Sequence, residues 1–325
     1  MNNYSWLQQK LHKFALSSQF MREATFDIES LLITPTQEID DHIFIIGLAR
    51  SGTTILLNAL YESDEFSSLL YKDMPFVLSP NLWSKLYTNN KHIDFIERAH
   101  GDGIKVSLES PEAFEEVFWM TFDDKKIQSK ENFKAYIKFV NKKYNKKRYL
   151  SKNNQNIKRI GLINKIFPQS KILIPFRNPI QQAVSMLFQH KKFIQNSKKD
   201  KFISDYMKWI GHKEFGPNYI PIYKNEIKFS DDLNINHWLE QWYLSYHDCF
   251  ENFQNDNNIN FICYEQLCKS KKYWFNLLKA INLKKTYYYS FRESKNEVPI
   301  NIDNKIKNKA ISLYTDLLNL AKNIN

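Results

Sequence analysis

Two of the seven glycines in this 325-residue chain stand five residues apart, in Gly47-Leu48-Ala49-Arg50-Ser51-Gly52-Thr53-Thr54. The frame G-x-x-x-x-G-x-[ST] is that of a phosphate-binding loop, in which small residues let backbone N–H groups curl around anionic oxygens. A helix beginning at such a loop adds the positive potential of its N-terminus. A nucleoside triphosphatase or kinase carries a lysine directly after the second glycine, to reach the β- and γ-phosphates. Here Thr53 holds that place and the cation is Arg50, inside the loop. The pattern keeps anion binding and leaves a P-loop kinase as a minor alternative.

A second anion position is marked by Arg177-Asn178-Pro179, with Ser185 eight residues further on. That spacing is about two helical turns, so a cation and a hydroxyl flank one place. Arginine suits it because its planar fork matches a phosphate with two parallel hydrogen bonds. Proton abstraction needs a carboxylate or a histidine. His100, in His100-Gly101-Asp102-Gly103, has the pKa for the task, and Glu109 and Glu112 follow shortly after. His190, His212, His237 and His247 read as structural residues.

These groups need elements to position them. The run Asp41–Gly47 reads as a buried strand, and Thr53–Tyr61 as a helix with Ile55, Leu56, Ala59 and Leu60 on one face. Ile104, Val106 and Leu108 alternate as in a short strand, and Phe133, Ile137, Val140 and Tyr144 mark a helix. Lys171–Arg177 is a second buried strand that ends on the candidate arginine, with Asn178–Pro179 opening the next helix. Ligands of α/β sheets bind at such carboxyl ends. Leu239, Trp242, Tyr243, Tyr246 and Phe250 form an aromatic helix stripe that reads as core; Asn260–Tyr264 is a third strand, and Trp274, Leu277, Leu278 and Ile281 a further helix. Strands alternating with helices predict a three-layer, P-loop-like α/β fold, with a central, mostly parallel sheet flanked by helices. Residues 5–31 read as one or two amphipathic helices. The expected organisation is an N-terminal helical segment over 1–40 packed on a single α/β domain over 41–325.

The net charge is +11, yet residues 132–199 hold seventeen lysines and arginines and no Asp or Glu, while the remainder sums to −6. Exclusion of carboxylates over such a block fits a polyanionic ligand. Nucleic-acid binding through that block is the competing reading, although no DNA- or RNA-binding motif accompanies it. Hydrophobic residues make up 43% and charged residues 25%, which excludes disordered and collagen-like classes. Three cysteines, without CxxC spacing, predict a reducing compartment and no metal framework. There is no signal-peptide pattern at the N-terminus and no run of about 18 apolar residues, so the expectation is a cytoplasmic protein whose only membrane contact is peripheral.

The loop Arg50-Ser51-Gly52-Thr53-Thr54 resembles the 5′-phosphosulfate loop of sulfotransferases, which use 3′-phosphoadenosine 5′-phosphosulfate (PAPS). Arg177 with Ser185 resembles the same family's 3′-phosphate motif, and Tyr264-Glu265-Gln266-Leu267 its segment whose tyrosine lies near the adenine. Tyr149, Ser151, Lys152 and Asn153, followed by Phe167-Pro168, are similar to the approach to that second motif. Arginine at position 50 is similar to tyrosylprotein sulfotransferases and many bacterial members. The resemblance implies a PAPS donor, no metal, and in-line sulfuryl transfer to a hydroxyl, with a glycan or glycolipid of a bacterial envelope as the favoured acceptor. It implies Arg50 and Lys152 as cations on the leaving phosphate. It also implies Asp73, in Tyr71-Lys72-Asp73-Met74-Pro75-Phe76, as first choice of base, ahead of His100 and then of Glu109 and Glu112.

Overall fold

The computed structural model describes residues 4–33, 40–86, 96–97, 105–293, 297 and 301–322. Ser5 caps α1 (Trp6–Ser17), accepting a hydrogen bond from the Gln8 N–H at 3.3 Å. Ser18 is extended and turns the chain into α2 (Gln19–Leu32). After β1 (Ile43–Ile45) and the glycine-bearing loop comes α3 (Thr53–Tyr61), then β2 (Phe66–Ser67) and α4 (Pro80–Leu86). A short antiparallel pair, β3 (Ile96–Glu97) and β4 (Lys105–Val106), precedes α5 (Glu116–Thr121) and α6 (Ile127–Lys143). The second half holds β5 (Arg148–Lys152), α7 (Ile160–Ile166), β6 (Lys171–Phe176), α8 (Pro179–Ser197), α9 (Lys201–Trp209) and α10 (Ile235–Phe253). It closes with β7 (Ile259–Cys263), α11 (Tyr264–Lys269), α12 (Lys271–Ala280) and α13 (Asn304–Ala321).

Five strands pair in the order β2-β5-β1-β6-β7, and every pair is parallel. The expected α/β sheet is therefore present. Strand side chains alternate between the two faces, and each face has its own core. Ile43, Ile45, Leu150, Leu173 and Ile262 pack with α3 and α12, including Leu57, Leu277 and Trp274. Phe44, Tyr149, Ile172 and Ile174 pack on the other side with Phe118, Phe133 and Trp242. This makes three layers. β1 is the centre strand, with Phe44 opposite both Ser151 and Ile172. The connection from β1 runs to one side of the sheet and that from β6 to the other, a switch point of the kind where open parallel sheets bind ligands.

The chain reaches β1 through a pinned entry. Arg148 donates to the Asp41 carbonyl at 2.9 Å and to the Ile281 carbonyl at 2.8 Å. His42 is buried and accepts the Tyr149 N–H on Nδ1 at 3.2 Å, and burial pulls its pKa down to about 3. The N-terminal helices pack on the same layer of the fold. Arg22 donates to the Thr121 hydroxyl at 2.8 Å, and the Glu29 carboxylate accepts the N–H groups of Asn81 and Leu82 at 2.8 and 2.9 Å, capping α4. Ile104 lies outside the described residues.

Candidate active site

The four parallel strands β5, β1, β6 and β7 release their chains at one edge of the sheet, and a cleft of about 240 Å³ opens there. Arg50, Gly52, Thr53, Thr54, Lys152, Arg177 and Tyr264 all line it. Residues spread over more than two hundred positions of sequence thus meet because parallel strands end together.

The loop after β1 is built by two left-handed residues. Arg50 has φ +69° and Gly52 φ +93°. For arginine this conformation costs roughly 1–2 kcal/mol, and strain of that kind is characteristic of ligand-holding backbone. Gly52 stands at the N-cap of α3, and a Cβ there would run into the Tyr264 ring. The third motif therefore packs directly on the first. Ser51 is fully buried and donates to the Leu48 carbonyl at 2.8 Å, bracing the loop from behind rather than lining the cleft. Gln182 on α8 donates to the Ala49 carbonyl at 3.1 Å and accepts from Trp242 Nε1 at 3.0 Å. Tyr246 donates to the Pro175 carbonyl at 2.8 Å. The aromatic stripe of α10 is core, as its spacing predicts, and its polar edges also hold the loop in place.

The two anion motifs are in contact. Arg50 Nε donates to the Ser185 hydroxyl at 3.0 Å. Asn178 caps α8 by accepting the Gln181 N–H at 3.1 Å, and its own N–H donates to Glu265 at 2.8 Å. Glu265 in this way locks the turn after Arg177 to the segment that carries Tyr264. Arg177 is buried and faces the cleft. The Tyr264 hydroxyl donates to the Arg292 carbonyl at 3.0 Å, and burial raises its pKa.

The candidates for base separate sharply. Asp73 is not brought to the cleft. It is fully buried, and its carboxylate is ion-paired with Lys143 and hydrogen-bonded to the Tyr144 hydroxyl at 2.7 and 2.9 Å and to the Leu70 N–H at 2.8 Å. Because Asp73 lies outside the cleft lining and is ion-paired with Lys143 inside the fold, the expectation of a base at this position is corrected to a structural role. His100 lies outside the described residues. Glu109 is exposed and paired with Lys72 at 2.6 Å, away from the cleft lining. Glu112 does line the cleft. It is buried, and its carboxylate accepts the Tyr71 hydroxyl at 2.7 Å and the Ala113 N–H at 2.9 Å.

Sequence reasoning missed several lining residues, among them Glu116, Glu214 and Arg292, and read His212, which also lines the cleft, as structural. Glu116 accepts from Arg159 at 2.7 Å and from Asn153 Nδ2 at 2.9 Å, and so fixes the turn after Lys152. Burial acts to lower the Arg159 pKa, but the Glu116 carboxylate beside it raises it on balance. Gly211, at φ +76°, lets the backbone pass against the Glu116 and Met120 side chains. His212 stacks on Phe193 with ring centroids 5.0 Å apart and faces Glu214 at 3.6 Å. The one available signal was the adjacent pair Glu115-Glu116 in an otherwise apolar helical segment; Arg292 stands in a loop without any pattern.

Cations (Arg50, Lys152, Arg177 and Arg292) thus gather where the three motifs meet, and carboxylates (Glu112, Glu116 and Glu214) line the same cleft. Among the described residues no cluster of His, Cys, Asp and Glu has the arrangement of a metal site. Residues 42–215 match the model of the sulfotransferase family. The chain belongs to the sulfotransferase family. Its structure can be laid over that of the sulfotransferase STF1 from Mycobacterium tuberculosis H37Rv, with a TM-score of 0.47 and 10% identity over 98% of this chain and 86% of that one. Sulfotransferase STF9 from Mycobacterium avium gives 0.45 and 10% over 97% and 79%. The sulfotransferase domain of the Synechococcus PCC 7002 olefin synthase gives 0.35 and 13% over 86% and 93%. No curated protein matches the chain significantly. No helix among the described residues is long and apolar enough to cross a membrane.

Proposed function

We propose that this sulfotransferase takes its sulfuryl group from PAPS and passes it to a hydroxyl of a glycan or glycolipid of a bacterial envelope. The observation that carries the choice of donor is the bond between Arg50 and Ser185 at 3.0 Å. It joins the loop that would hold a 5′-phosphosulfate to the helix that would hold a 3′-phosphate, within one cleft. A donor with two phosphates on one ribose fits that double site better than a single-phosphate nucleotide does.

In this reading the N–H groups at the start of α3, with Thr53 and Thr54, cradle the phosphosulfate, and Arg177 with Ser185 holds the 3′-phosphate. Tyr264 flanks the adenine. The acceptor oxygen attacks sulfur in line, and a new O–S bond forms as the bond from sulfur to the phosphate oxygen breaks. The electron pair leaves on the 5′-phosphate, where Arg50 and Lys152 offset the growing charge. The acceptor's proton passes to Glu112. Tyr71 and the Ala113 N–H hold that carboxylate in position, and a base works only within about 3 Å of the proton it takes. The transfer needs no metal. A cytoplasmic site of action goes with this reading.

The test is thermal stabilisation by adenosine 3′,5′-bisphosphate, adenosine 5′-phosphate and ATP in parallel. A ligand present at a hundred times its Kd adds about 2.7 kcal/mol. The bisphosphate is expected to stabilise most, and Arg177→Ala to remove its advantage over the monophosphate. Equal stabilisation by the two adenosine phosphates, or a larger effect of ATP with magnesium, would refute the donor assignment.

A further inference from the structure

The N-terminal helices carry apolar residues on their outward side as well as on the side that meets the fold. α2 buries Arg22, Phe26 and Glu29 against the fold and leaves Phe20 73%, Leu31 87% and Leu32 54% exposed. α1 buries His12, Ala15 and Leu16 and leaves Trp6 71%, Leu7 70% and Phe14 56% exposed. Ser18 alone separates the two helices, with Phe14 four residues before it and Phe20 two residues after it. At helical spacing, Leu7 and Phe14 lie on the arc opposite the buried one, and Phe20 and Leu31 do the same on α2.

Each of these six side chains offers on the order of 100 Å² of apolar surface, so together they expose roughly 600 Å². That is at the upper end of what a monomer ordinarily leaves open, about 300–600 Å², and about three quarters of one partner's share of a standard interface, about 800 Å². Charge selects the occupant. Residues 4–22 contain no carboxylate, and Lys10 and Lys13 are exposed beside the α1 arc, Lys10 with its ammonium 5.5 Å from the Trp6 ring. α2 carries the opposite sign, with Asp27 exposed and Glu23 half-buried, next to its own arc. An anionic lipid surface would attract the first helix and repel the second. A second copy of the same chain, related by a two-fold axis, sets basic α1 against acidic α2 twice over, because a two-fold contact uses one patch on both partners.

We propose that the outward face of α1 and α2 is a homodimer interface, in which the α1 arc of one protomer lies on the α2 arc of the other. Lys10 and Lys13 then face Glu23 and Asp27 across the axis, around a centre formed by Phe14, Phe20 and Leu31. The interface leaves the cleft free, since none of these residues lines it.

The experiment is sedimentation equilibrium of the full chain over a wide concentration range. The wild type is expected at twice the chain mass, and Phe20→Glu at the chain mass. Reversing one rim, as Lys10→Glu with Lys13→Glu or as Glu23→Lys with Asp27→Lys, is expected to weaken association about tenfold or more. The two reversals combined are expected to restore it. Apart from the half-buried Glu23, which accepts from Gln19 at 2.7 Å, the changed side chains are exposed, and an unaltered melting temperature at dilutions where every variant is monomeric shows that each folds; Leu31→Glu replaces any that does not. A wild type that stays monomeric at every concentration overturns the proposal. So does a dimer indifferent to both reversals, or a combined variant that remains monomeric. Flotation of monomeric protein with phosphatidylglycerol vesicles, lost in Phe20→Glu, would assign the face to a membrane instead and equally overturn it.

Discussion

Replacing Gly52 with alanine puts two costs at the point where the first and third motifs touch. The backbone there has φ +93°, a conformation that costs a residue with a Cβ about 1–2 kcal/mol. The new methyl group would also occupy space held by the Tyr264 ring. Tyr264 is buried and tied through its hydroxyl to the Arg292 carbonyl at 3.0 Å, so it cannot swing clear freely. Overpacking of this kind adds roughly 1–3 kcal/mol. The sum is about 2–5 kcal/mol, and for a chain of this length each kcal/mol lowers Tm by about 1.5 °C. Gly52→Ala should therefore melt roughly 3–8 °C below the wild type and bind adenosine 3′,5′-bisphosphate more weakly. The steric part is separable. In the Tyr264→Ala background the alanine meets no ring, and only the backbone part, about 1–2 kcal/mol, should remain. Urea unfolding of the four proteins, with calorimetric titration of the nucleotide, gives the whole cycle. If Gly52→Ala lies within about 0.5 kcal/mol of the wild type, the account of the loop is wrong. If its cost is the same with and without the tyrosine ring, the contact between the motifs carries no energy.

Three other outcomes are expected. Glu112→Gln should lower kcat by about 10²–10⁴ while leaving nucleotide affinity unchanged, as measured by transfer of labelled sulfate from PAPS to envelope glycans; retention of more than about a tenth of the rate would remove Glu112 from the reaction. Asp73→Asn should instead cost stability, about 3–5 kcal/mol in urea unfolding, because Lys143 loses its buried partner, and the folded fraction should still transfer sulfate. His42 is neutral in the fold because burial lowers its pKa to about 3. Its contribution is complete above the unfolded value near 6.5 and is lost as pH falls below it, so between pH 7 and 5 it accounts for about 2 kcal/mol of lost stability. His42→Asn should flatten the urea-midpoint profile over that range, and an unchanged profile would contradict the burial argument.

The parts of the site that were legible in the sequence are those where local chemistry leaves few options. Gly47 and Gly52 announce a tight loop, Thr53–Tyr61 has the apolar spacing of a helix, and Ile172–Phe176 is an unbroken apolar run. β5 was not legible, although it is the strand beside the centre of the sheet. Its sequence, Arg148–Lys152, begins and ends in a cation, because one end pins the entry to β1 and the other faces the cleft. A strand with both ends in service does not read as buried. Asp73 misled for a related reason. Distance along the chain from the loop says that a carboxylate can return toward it, but not that Lys143 and Tyr144, seventy residues later, will enclose it. Glu112 stood among the lesser candidates because nothing local distinguishes it from Glu109, and only the fold buries one and exposes the other. The outward arc of α2 was likewise hidden, since amphipathic spacing defines a face without saying which way it turns.

The strand order also sets a schedule for the chain's synthesis. β1 is complete at Ile45, but both of its edges stay unpaired until β5 arrives at Arg148 and β6 at Lys171. At about 5–20 residues per second, translation needs roughly 5–20 s to bring the first of these partners. Throughout that interval an all-apolar strand followed by a glycine-bearing loop waits with open hydrogen-bonding edges. Long-range parallel pairing is slow even after the segments are present. The nascent chain therefore has a predictable period of vulnerability between the completion of β1 and the arrival of β6, when a holdase would have most to cover. Nucleotide would give no protection then, since the second anion position begins only at Arg177.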